Sequence, residues 1–154
     1  MDTNDEIMMD ETAILSVRLG GLIEVLSETD MECELHMDGE GVPAVLGRLG
    51  GRLYHFSYMM AGDADDIFIL TVATLAGDIP SEEDSSEYDI SKVLLCDNFN
   101  RTSGFGYAVY YPEENAVELR AQTVEQGGLG EPEYYASLVG MLESSVIELM
   151  QEES

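Results

Sequence analysis

The sequence predicts an α+β fold built on an antiparallel sheet, and three observations predict it. Apolar and polar residues alternate over 31–37, 52–60 and 105–111, the period of half-buried strands. Apolar residues recur at three- and four-residue steps near both ends of the chain, the period of amphipathic helices. The resulting order, α-β-β-β-(β)-α-β-β-α, has no βαβ rhythm, so a parallel sheet is not expected.

Residues 1–9 form an acidic lead-in expected to fray, and Asp10 is a plausible N-cap for a first helix reaching about Glu28. Leu15, Leu19, Leu22, Ile23 and Leu26 make its apolar stripe. Gly20 and Gly21 interrupt it, either because another element approaches closely or because the helix hinges there. Met31, Cys33, Leu35 and Met37 alternate with Glu32, Glu34, His36 and Asp38, which reads as a half-buried or edge strand. A turn at 38–41 leads to a short strand over Val42–Leu49, and Pro43 and Gly47 suggest that this strand lies at an edge. Gly50 and Gly51 suit a tight hairpin turn.

Arg52–Met60 follows, with Tyr54, Phe56, Tyr58 and Met60 on one side and Leu53, His55, Ser57 and Met59 on the other. After a turn at 62–66, Ile67–Leu75 is apolar on both sides and is expected at the centre of the sheet, covered twice or pressed against a partner. Residues 77–87 form an acidic, Ser-rich surface connection. A second helix is expected from about Ser86 to Asn100, with Ile90, Val93 and Leu94 inward, Phe99 joining them at its end, and Asn98, Asn100 and Gly104 at its exit. A hairpin comes next: Phe105, Tyr107, Val109 and Tyr111 share one side of its first strand, and Val117, Leu119 and Ala121 share one side of the second. Past Gly127, Gly128 and Gly130 the chain enters a last helix at Glu131–Glu133. Its stripe is Tyr135, Leu138, Val139, Leu142, Val146 and Leu149, suited to covering the hairpin.

A chain of 154 residues, 45% hydrophobic, is expected to fold as a single domain over 1–154. Its net charge of −26, from 6 Lys+Arg against 32 Asp+Glu, makes nucleic acid and anionic membranes poor partners, because binding phosphates requires cations that displace counterions. The acids read as a solubilising surface, as an adaptation to a high-salt cytosol, or as attraction towards a basic partner, including a decoy for DNA-binding proteins. Cys33 and Cys96 are the only cysteines and the N-terminus has no signal-peptide pattern, so a cytoplasmic location without a disulfide framework is expected.

The catalytic inventory is thin. His36 and His55 are the only histidines, and no nucleophile-elbow, zinc-protease or phosphate-loop motif occurs. Cys33 and His36 are spaced like half a zinc site, but on a strand they point to opposite faces. Asp63, Asp65 and Asp66 begin like a calcium loop, yet Phe68 and Thr74 stand where it needs Gly and Glu. The Gly127–Gly130 turn ahead of a helix resembles an anion cradle but is flanked by Glu125, Glu131 and Glu133. No metal or cofactor is therefore expected. The remaining constellation is the aromatic face Tyr54, Phe56 and Tyr58, which reads either as core or as a patch for a polypeptide partner or a second copy of the chain.

Taken together, the helix from Ile90, the Asn98-Phe99-Asn100-Arg101 end, the Phe105–Tyr111 and Val117–Ala121 strands, the Gly127-Gly128 turn and the Leu138–Leu149 helix resemble the YbjN-type family of bacterial sensory transduction regulators. The resemblance covers mainly residues 86–150. It implies a fold like the type III secretion chaperones, an antiparallel sheet with helices packed on one side, often dimeric, and brings no catalytic residues with it. The expected function is a non-enzymatic regulator or chaperone-like polypeptide binder acting as a homodimer. Two other functions stay open: an enzyme or small-molecule binder with a pocket between the sheet and the last helix that encloses His55, and an acidic decoy.

Overall fold

The structure, a computed structural model, describes residues 3–37, 41–61, 66–76, 90–102 and 105–153. The elements are α1 (Thr3–Leu26), β1 (Glu32–Met37), β2 (Pro43–Leu49), β3 (Arg52–Met60), β4 (Ile67–Leu75), α2 (Ile90–Thr102), β5 (Tyr107–Tyr111), β6 (Ala116–Gln126) and α3 (Pro132–Glu153). They form an α+β fold, an open antiparallel sheet of six strands in the order β1-β2-β3-β4-β6-β5 with three helices packed on one side. The helix α1 begins at Thr3, well ahead of the cap expected at Asp10. The turn at 38–40, most of the turn at 62–66, the acidic connection, the expected helix start at Ser86 and the exit at Gly104 lie outside the described residues. The chain divides into two compact units, Met1–Val72 with Gln122–Ala136, and Ala73–Ala121 with Ser137–Ser154.

In the first unit, Leu19, Leu22 and Leu26 of α1 are buried and Leu15 and Ile23 half-buried, so the helical stripe is as expected. The helix packs on β1, β2 and β3. At Gly21 a Cβ would stand 2.8 Å from Leu129 Cδ1, so this glycine admits a close approach, whereas Gly20 faces open space. β2 lies between β1 and β3 rather than at an edge. Pro43 is tolerated there because it is the first residue of the strand, paired with Met37 where the ladder ends. Gly50 and Gly51, at φ 59° and 80°, form the two-residue β2–β3 turn.

Gly47 is small for a packing reason. A Cβ there would collide with the Met31 sulfur and lie 3.3 Å from Phe56 Cε2. Gly47→Ala should cost about 1–3 kcal/mol through overpacking, read as a lower urea midpoint at unchanged slope.

In the second unit the register corrects the expected hairpin. Tyr107, Val109 and Tyr111 stand opposite Arg120, Glu118 and Ala116, while Ala108 and Tyr110 stand opposite Leu119 and Val117. Directly opposed residues share a face. The two apolar sets therefore lie on different faces, and the buried pairing is Ala108 with Leu119. The α3 stripe holds as expected, with Val139, Leu142, Val146 and Leu149 buried.

The helix α2 is rotated from expectation. Ile90, Val93 and Leu94 are 66, 40 and 62% exposed, and its inward side is Lys92, Cys96 and Phe99, at the three- and four-residue steps of one helical face. The Lys92 ammonium donates to the carbonyl of Asn115 at 2.7 Å, holding the left-handed residue of the β5–β6 turn (φ 50°). Asn100 does not end the helix. Its side chain donates to Ala108 O at 3.0 Å and accepts from Ala108 N–H at 2.6 Å, occupying backbone groups of edge strand β5. Burial pushes the Cys96 thiol up to about 11. A folded-state pKa raised above the unfolded value gives stability that is present below the unfolded pKa and lost as pH rises through the folded one. Stability should therefore fall between about pH 9 and 11, and Cys96→Ser should flatten part of that fall in urea titrations across this range.

Candidate functional site

The alternation of β3 sorts the first unit's residues onto two faces. Tyr54, Phe56 and Tyr58, the face the sequence offers to a partner, are buried, with Phe56 fully so. In the monomer they are packed rather than presented. They also lie on the side of α1, because Arg18 of that helix stacks over Tyr58 at 4.8 Å and over Phe68 at 4.0 Å from the ring centres. Tyr58 and Phe68 meet edge to face, centroids 6.1 Å apart.

This buried face holds a polar cluster that the sequence reading missed. Arg18 Nη2 and the Tyr58 hydroxyl both donate to Glu125 Oε1, at 2.7 and 2.6 Å. The Arg18 and Glu125 side chains are 8 and 6% exposed. Arg18 Nη1 also donates to Gly127 O at 2.7 Å, and Nη2 reaches Gly128 O at 3.4 Å. Burial, followed by the hydrogen bond to Glu125, drives the Tyr58 phenol above its usual range, and burial raises Tyr135 beside it. Arg18 Nε and Glu125 Oε2 are buried without a hydrogen-bond partner among the described residues. The chemistry is that of a clamp, in which one guanidinium fastens α1 to the end of β6 and to the glycine turn.

That turn is no anion cradle. Its carbonyls point at a cation, while the N–H of Gly127 goes to Asp66 O at 2.8 Å and that of Gly130 to the Tyr135 hydroxyl at 3.0 Å. Two sequence signals pointed to the clamp. Arg18 falls on the inward arc between Leu15 and Leu22, and Glu125 continues the inward alternation of Val117, Leu119 and Ala121.

The opposite face of the first unit's sheet is open. Leu53 and Met59 alternate with Tyr54 and Tyr58, and Val124 precedes the clamped Glu125, so all three point away from α1. They are 44, 55 and 67% exposed. Among the described residues of this unit, no helix packs on that face. Gln122 Nε2 donates to Thr71 Oγ1 at 3.1 Å, linking β6 to β4 on the same side. His55 is exposed here too, on the face opposite the Tyr54 and Tyr58 rings. Tyr54 and Tyr58 therefore do not share a side of β3 with His55.

The remaining candidates separate. Cys33 is half-buried opposite Gly47, and His36 is exposed opposite Ala44 on the other face. No group of three or more His, Cys, Asp or Glu suited to a metal occurs among the described residues. Asp63 and Asp65 lie outside them. In the second unit Arg120 Nε donates to Glu118 Oε1 at 2.6 Å, and Tyr111 donates to the same oxygen at 3.0 Å. This half-exposed trio contributes little to stability. No helix among the described residues is long and apolar enough to cross a membrane.

The fold and this face define a class, an α+β protein with helices packed on one side of an antiparallel sheet and, among the described residues of the first unit, no helix on the other face. Neither a protein-family model nor a curated protein matches the chain.

Proposed function

We propose that the protein is a non-enzymatic polypeptide-binding domain, a regulator or chaperone-like module, whose working surface is the open sheet face of the first unit. One observation carries this reading: Leu53 and Met59 on β3, and Val124 on β6 across the intervening β4, present apolar side chains to solvent on the side away from α1. Exposed apolar groups gathered on one face are the usual mark of a docking surface, because water gains most by their removal. The resemblance of residues 86–150 to YbjN-type regulators points the same way. Homodimerisation is a separate part of this reading, tested by light scattering at micromolar concentration.

The direct test is the double variant Leu53→Gln with Met59→Gln. Its stability should stay within about 0.5 kcal/mol of wild type, since both side chains already face water. Polypeptide partners recovered with the native protein should be lost with the variant and kept by Val17→Gln, a change on the exposed side of α1. Equal recovery by all three proteins would reject the reading.

A further inference from the structure

We infer, on the strength of the docking face just described, that its occupant is a basic amphipathic polypeptide segment, apolar where it meets Leu53, Met59 and Val124 and carrying Lys or Arg along its margin. The charge pattern of the face supports this. The chain holds 32 acids in 154 residues, yet across the β2, β3, β4 and β6 stretches of this unit no Asp or Glu alternates onto the open face.

Carboxylates return on the edge strand. The register sets Glu32 opposite Arg48, which stands opposite Leu53, and sets Glu34 opposite Leu46, which stands opposite His55. Directly opposed residues share a face, so Glu32 and Glu34 lie on the open side, Glu32 beyond Arg48 and Glu34 beside Leu46. A centre without carboxylates, crossed by the single cation Arg48 beside Leu53, and carboxylates further out at the margin fit a segment that carries its Lys or Arg at the edge rather than along its middle. Buried carboxylates would be stranded without water in the centre, whereas at the rim they stay solvated and still steer and orient a cationic partner. The field of a −26 chain acts in the same direction from a distance, drawing in basic polypeptides and opposing acidic ones, a second copy of the chain included.

The test uses the full chain and two synthetic peptides with identical apolar positions, one with Lys and one with Glu at every other position, titrated by fluorescence anisotropy. The Lys peptide should bind at least about a hundredfold more tightly than the Glu peptide and weaken about tenfold when salt is raised to roughly 0.5 M. Glu32→Gln with Glu34→Gln should weaken it about threefold or more, and Leu53→Gln with Met59→Gln should weaken it by at least about tenfold. Circular dichroism and urea midpoints confirm that the variants are folded.

Equal binding of both peptides, lost in the Leu53/Met59 variant, would overturn the basic-partner inference and leave the docking face standing. Binding of neither peptide, or Lys-peptide binding indifferent to the Leu53/Met59 variant, would overturn both. Sedimentation showing a dimer that this variant dissociates and the Lys peptide does not displace would assign the face to a second copy and overturn the inference.

Discussion

Arg18→Ala should remove about 3–5 kcal/mol of stability. The reason lies in what the guanidinium leaves behind. Glu125 is 6% exposed and already has one oxygen without a partner. Without Arg18 its charge is held in a low-dielectric site by the Tyr58 hydroxyl alone, and the Gly127 carbonyl loses its donor as well. Two rings also lose the cation stacked on them. Neutralising both ends should cost far less than the sum of the single changes, because no uncompensated charge then remains. Arg18→Met with Glu125→Gln, which keeps an acceptor for Tyr58, should show a coupling of about 1–3 kcal/mol in a double-mutant cycle. Additivity within error would mean that the pair is not the clamp described.

In the second unit, Phe99→Ala should cost about 3–5 kcal/mol, while Leu94→Ala on the same helix should stay within about 0.5 kcal/mol. Phe99 is fully buried on the inward face of α2, and Leu94 is mostly in water. Urea unfolding of the two variants separates the structure's orientation of α2 from the one its apolar spacing implies, since the expected stripe of Ile90, Val93 and Leu94 predicts a large loss for Leu94.

What the sequence made legible was local. The α3 stripe, the inward leucines of α1 and the Gly50-Gly51 turn follow from the spacing of residues a few positions apart, and the structure has them as expected. The facing of elements was less legible. Alternation in β5 shows two sides, but whether Tyr107, Val109 and Tyr111 or Ala108 and Tyr110 meet the covered side is decided by pairing with β6, which is long-range information. α2 misled because its inward face contains a lysine, whose long stem packs like an apolar chain while its ammonium reaches Asn115 O. The aromatic face of β3 was correctly grouped, and its burial leaves the plainer side, with Leu53 and Met59, facing solvent. A strand pattern gives both sides equally. Which one is free depends on where α1 lands, and the Arg18–Glu125 contact that fastens the helix there spans 107 residues.

The most direct test of the account is to titrate the Lys-rich amphipathic peptide into the isotopically labelled chain and follow the backbone amide resonances. The largest shifts should fall at Leu53, Met59 and Val124 and at Glu32 and Glu34 on the margin, with Val17 on α1 unmoved. Shifts centred on α1 with the open sheet face unchanged would contradict it.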